Sequence, residues 1–135
     1  MFIGVLEDNA GLCEFFTTFL ELAGHTFEVH HTAESFLQTT QRYDVILVDL
    51  RLDGDMTGAE VIERMRERQP NLPVIVVSAY SERDIQAAIQ GLPDVYYICK
   101  PFRPSALEAM IREARKFQFP QAEQEHMLPA AAPFE

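Results

Sequence analysis

Five short β-rich runs punctuate this chain, and segments of helical period fill the spaces between them. The runs cover residues 2–6, 27–30, 45–48, 74–77 and 95–99, all rich in β-branched or aromatic residues. Between them lie apolar residues at helical spacing: Leu12, Phe15, Phe16, Phe19 and Leu20; Phe36 and Leu37; Val61, Ile62 and Met65; Ile85, Ala88, Ile89 and Leu92. A fifth helical pattern opens at Pro104 and carries Leu107, Met110, Ile111, Ala114 and Phe117 on one stripe. Arg112, Arg115 and Lys116 suit the negative end of that helix dipole. Thr57-x-x-Glu60 reads as a capping box, and Gly24 stands where the first helix must stop. Strict alternation of strand and helix predicts an α/β fold, a doubly wound parallel sheet with helices on both faces and right-handed crossovers.

At 135 residues, 47% hydrophobic and 24% charged, the chain has the size of one globular domain with a sizeable core. No apolar run approaches the roughly 20 residues of a membrane span, and the first residues lack a signal-peptide pattern, so a cytoplasmic location with no membrane partner is expected. Cys13 and Cys99 fit reduced thiols rather than a zinc site or a disulfide framework. The net charge of −10 disfavours nucleic acid, whose phosphates need clustered Lys and Arg. Periodicity ends near residue 118, and residues 119–135, rich in Pro and Ala, read as a flexible tail or the start of a linker.

In a doubly wound sheet, ligands gather beyond the carboxyl ends of the strands. The first run ends in Glu7-Asp8, the third in Asp49, the fourth in Ser78 and the fifth in Lys100. Three carboxylates at one edge repel unless a cation sits among them, and an oxygen-only set of this kind suits hydrated Mg²⁺. With that charge balanced, an Asp49 oxygen is placed to attack a phosphoryl group while Lys100 and Ser78 stabilise its oxygens.

These residues resemble the receiver domains of two-component response regulators, of which the bacterial chemotaxis regulator is the single-domain example. "VLEDN", "DVILVDLRL", "VIVVSAY" and "YYICKPF" carry the resemblance, in that order, across about residues 2–117. It implies a flavodoxin-like sheet of order 2-1-3-4-5 and a receiver domain spanning residues 1–118. It also implies that Asp49 accepts a phosphoryl group from a histidine kinase or phosphotransfer protein, the chain catalysing only its own phosphorylation and dephosphorylation. Asp8, Asp49 and the Arg51 backbone carbonyl would hold Mg²⁺, with Glu7 acting through water. Ser78 and Lys100 would contact the phosphoryl group, Ala79, Tyr80 and Pro101 would surround it, and Tyr97 would be the aromatic switch beside Ser78. The Lys100-Pro101 bond resembles the family's cis peptide. A downstream protein or a second copy would bind the face formed by the fourth helix, fifth strand and fifth helix.

The chain departs from the family pattern in two places. Pro often stands four residues after the phosphoacceptor and Gly eight after it, whereas here Asp53 and Gly58 take the fourth and ninth places, so the loop reads as one residue longer. "GLPD" precedes the fifth strand where the family often has Ala-Gly-Ala, and Pro93 stiffens that connection. Each site residue also has a plainer reading: Glu7-Asp8 as acids favouring a helix start, Asp49 as a turn former, Ser78 as a cap, Lys100 as a surface cation, Tyr97 as packing. His30-His31 lacks a partner cluster for metal, and Phe15, Phe16 and Phe19 read as core. A haloacid-dehalogenase-type phosphohydrolase is the alternative, since it too uses an Asp nucleophile, a hydroxyl and a Lys. That class carries a second Asp two places after its nucleophile as general acid, and here the position is Arg51.

Overall fold

The computed structural model describes residues 1–116. The elements run β1 (Phe2–Leu6), α1 (Ala10–Leu22), β2 (Thr26–His30), α2 (Ala33–Leu37), β3 (Val45–Val48), α3 (Gly58–Arg68), β4 (Val74–Ser78), α4 (Glu82–Ala88), β5 (Val95–Cys99) and α5 (Pro104–Arg115). All five strands are parallel, in the order β2-β1-β3-β4-β5. The expected tail, residues 119–135, and Phe117 of the fifth apolar stripe lie outside the described residues.

The central strands are apolar up to Ser78 at the end of β4 because both faces of the sheet are covered. Ile46 and Val48 point into a core shared with Phe36, Val61, Ile62, Met65 and Ile85 of α2, α3 and α4. Their neighbours Val45 and Leu47 point the other way, onto Phe16 and Leu20 of α1 and Leu107, Met110, Ile111 and Ala114 of α5. Each fully buried Val, Leu, Ile, Phe or Met among them contributes roughly 1.5–3 kcal/mol. Local signals set the ends: Thr57 and Glu60 form the capping box, Pro104 opens α5, and Gly24 adopts φ +82° just past α1.

Two expectations need correction. The fourth helix stops at Ala88, because Gly91 turns at φ +88° and Leu92 N–H bonds back to Ile89 O, so Ile89 and Leu92 reach the core from beyond the helix. Only Phe16 of the α1 aromatics is fully buried; Phe15 and Phe19 stack on each other at its edge, and Phe102 packs against Phe15 and Phe16. The side chains of His30 and His31 pair separately, His30 with Ser35 and His31 with Cys13.

Tyr43 closes one end of the first core. Its ring stacks on Phe36 at 5.6 Å and tilts against Phe2 at 5.0 Å. Gly4 makes room for it, since a Cβ there would lie 2.8 Å from the ring. The Tyr43 hydroxyl donates to Glu28 Oε1 at 2.7 Å. Burial, with Glu28 adding to it, pushes the phenol up from 10 to about 12. A proton held more tightly in the folded state stabilises fully below pH 10, and that contribution is lost as pH rises through 12. Urea unfolding of the parent protein should therefore weaken between pH 10 and 12, and Tyr43→Phe should flatten that part of the decline.

Candidate active site at the strand carboxyl ends

Four strand ends deliver the site. β1 runs into Glu7 and Asp8, β3 into Asp49, β4 ends on Ser78, and β5 is followed by Lys100. Neighbouring strands lock the levels together: Asp49 N–H donates to Leu6 O at 3.1 Å, and Lys100 N–H to Ser78 O at 2.8 Å. Asp49 is 6% exposed, Glu7 1% and Ser78 0%, so this is a buried polar edge at the mouth of an apolar sheet.

The Lys100 ammonium binds two of the carboxylates, Glu7 Oε1 at 2.9 Å and Asp49 Oδ2 at 3.1 Å. Burial pushes Glu7 above the usual carboxylate range; the Lys100 hydrogen bond and the Asn9 N–H pull against that rise, and the Asp49 charge adds to it. Burial also works against the charge on Lys100, but the Glu7 hydrogen bond and the fields of Asp49 and Glu7 outweigh it and hold the ammonium above its ordinary value. Lys100 and Pro101 are joined by a cis peptide bond, and Pro101 is exposed.

Glu7, Asp8 and Asp49 each offer an oxygen within 4.8 Å of the others. Three carboxylates against one ammonium leave an excess of negative charge, and oxygen donors alone match a hard divalent cation. The donor set therefore fits Mg²⁺. Arg51 follows Asp49 closely: its backbone N–H donates to Asp49 Oδ1 at 3.1 Å, while the residue itself is exposed.

Ser78 Oγ accepts the Tyr80 N–H at 3.2 Å, Ala79 is exposed, and Tyr80 is half-buried against the first core. The Tyr97 hydroxyl donates to Glu82 Oε1 at 2.6 Å and accepts from Gln86 Nε2 at 3.1 Å, both on α4. That bond to Glu82, chiefly, pushes the Tyr97 phenol up. Sequence reading missed Asn9, whose N–H holds Glu7 Oε2 at 3.1 Å and whose side chain caps α1. It missed Glu82 and Gln86 as well, because nothing in the pattern pairs them with Tyr97.

Comparison with known proteins decides the family. Residues 3–112 match the response regulator receiver domain. The chain belongs to that family. Over 125 residues it is 31% identical to the response regulator protein FleR of Pseudomonas aeruginosa, covering 90% of the chain and 26% of FleR. It is 26% identical to the transcriptional regulatory protein FixJ of Bradyrhizobium diazoefficiens, covering 91% of the chain and 60% of FixJ. The chain thus spans a quarter to three-fifths of these relatives. Its fold matches the receiver domain of sensor histidine kinase PA1611 of Pseudomonas aeruginosa, whose active-site cleft coordinates magnesium. The TM-score is 0.76 at 23% identity, covering 84% of this chain and 96% of that one. This receiver domain is a phosphorylation-activated module of two-component signalling, and the phosphohydrolase alternative finds no support. Receiver domains interact with histidine kinases and downstream effectors, and as a family they hold Mg²⁺ at an acidic site.

Gly58 keeps α3 against this edge of the receiver. A Cβ there would collide with the Asp49 carbonyl oxygen and lie 2.7 Å from Leu50 Cα, both backbone atoms that cannot turn aside. Helix propensity alone would favour Ala at this position by about 1 kcal/mol. Gly58→Ala should instead destabilise by roughly 1–3 kcal/mol in urea unfolding, the cost of forcing backbone apart.

Proposed function

We propose that Asp49 is the phosphoacceptor of this receiver domain. The observation that carries the reading is the Lys100 ammonium bridging Asp49 and Glu7 at 3.1 and 2.9 Å, inside a three-carboxylate edge. An Asp49 oxygen forms the bond to phosphorus as the phosphohistidine P–N bond of a sensor kinase or phosphotransfer protein breaks, and the electron pair returns to the donor imidazole. Lys100 is already in contact with the nucleophile, so its charge needs no rearrangement to meet the phosphoryl oxygens. Ser78 supplies a hydroxyl from the end of β4, and Ala79, Tyr80 and Pro101 border the same space. Glu7 through water, Asp8, Asp49 and the Arg51 carbonyl are the proposed holders of Mg²⁺, which when bound would neutralise phosphoryl charge. Hydrolysis of the aspartyl phosphate at the same residues returns the domain to its resting state, and no separate substrate is turned over.

The output face is proposed on α4, β5 and α5, around Tyr97. Turning Ser78 toward a phosphoryl oxygen frees space beside Tyr97, whose inward rotation would release Glu82 and Gln86 and shift the population toward a form that binds a downstream protein or a second copy. The net charge of −10 over the 135 residues argues against nucleic acid as a direct partner of this domain. No helix among the described residues is long and apolar enough to cross a membrane, and a cytoplasmic site of action suits a kinase partner. Residues 1–118 are proposed as the receiver unit, with residues 119–135 outside it.

Incubation with a small-molecule phosphodonor and Mg²⁺ should raise the intact mass by one phosphoryl group. Asp49→Asn and chelation should each abolish the gain; labelling that survives either one rejects the assignment. Adding beryllofluoride, a phosphoryl mimic, should shift amide resonances across residues 78–102, and shifts confined to the acidic edge would reject the proposed output face.

A further inference from the structure

The link between β3 and α3 reaches back to β1 through one hydrogen bond: Asp53 N–H donates to Asp8 Oδ2 at 2.9 Å, across 45 sequence positions. Lys100 pairs with Glu7 and Asp49 but not with Asp8. Among the described residues, the Asp53 amide is the hydrogen-bond donor that reaches the Asp8 carboxylate. Leu52 and Met56 anchor the two ends of this loop against the first core. Asp53, Gly54 and Asp55 are exposed, and their far side borders an open groove of about 550 Å³ against α2. Gly54 at φ +113° turns the chain immediately after the amide, a conformation that favours glycine.

We infer that the Asp53 backbone amide is a positioning group for Asp8. It engages one carboxylate oxygen, fixes the plane of the group and leaves the second oxygen for the cation. The inference rests on the reading of this edge as a Mg²⁺ site and adds what orients one of its ligands. A carboxylate held by an outer hydrogen bond loses less freedom on binding metal, and losing such a partner typically weakens metal affinity on the order of 10-fold or more. The Asp53 side chain is not the agent here; its N–H is.

Two substitutions separate amide from charge. Asp53→Asn keeps the N–H and removes the carboxylate, whereas Asp53→Pro removes both. Calorimetric titration of the full chain with Mg²⁺ alone should show Asp53→Pro binding about 10-fold more weakly than Asp53→Asn, with both variants folded by circular dichroism. Equal affinities in the two variants overturn the inference. Absence of Mg²⁺ binding by the parent protein defeats the metal reading itself, a distinguishable outcome. Should the Pro variant not fold, hydrogen exchange decides. The Asp53 amide should be protected in the parent and exchange faster in Asp8→Ala while core amides stay unchanged, and an unprotected Asp53 amide in the parent overturns the inference.

Discussion

The arrangement of this domain depends on one cation serving two buried anions. Glu7 and Asp49 sit at strand ends that pack against apolar side chains on both faces, where an unpaired carboxylate would cost several kcal/mol. Lys100, just past β5, joins Glu7 at 2.9 Å and Asp49 at 3.1 Å, across 93 and 51 sequence positions respectively. The pairing requires β1, β3 and β5 to end at one level, which the parallel register and the Lys100 N–H to Ser78 O bond enforce. Yet one ammonium cannot balance three carboxylates. The side chains of this edge therefore fall short of positive charge, a deficit that a divalent cation relieves.

Such a deficit is a cost to folding that the rest of the sheet offsets. Residues on β3 alternate between two separate cores while remaining apolar throughout, so both faces contribute burial at every step of the strand that ends in Asp49. Gly58 then lets the first turn of α3 lie directly against the Asp49 backbone. The strand end is clamped by packing on its faces and by a helix at its tip. The geometry of the polar edge is set by well-packed apolar neighbours, an arrangement that favours preorganised charge over a mobile one.

Most of this was legible in the sequence for a definite reason. Strand-end residues are fixed by topology, so once the alternation of strand and helix is recognised, Glu7, Asp8, Asp49, Ser78 and Lys100 fall on one edge without further information. The capping box at Thr57 and the stop at Gly24 are local signals and read equally well. What escaped reading depends on side-chain reach between segments that carry no shared pattern. Tyr97 bonding to Glu82 and Gln86 joins a strand to a helix, and Asp53 bonding to Asp8 joins a loop to a strand end. The early end of α4 was obscured because Ile89 and Leu92 keep helical spacing while Gly91 breaks the helix between them.

The two ends of α4 are held by different chemistry, and that difference bears on how a change at the acidic edge would travel. Beyond its C-terminal end, the Arg66 guanidinium of α3 donates to the carbonyl oxygens of Leu72, Pro93 and Asp94, tying the connection into β5 to the entry of β4. Several donors of one planar group on backbone acceptors make a stiff joint. At its N-terminal end α4 is held by Tyr97 to Glu82 and Gln86, exposed contacts worth far less, and Ile85 is its one fully buried side chain. The weak end is the one that adjoins Ser78, through Tyr80 and the Ser81 cap. A helix pinned behind and loosely latched in front has its least stable contacts at the latch, the end that adjoins Ser78 and the acidic edge.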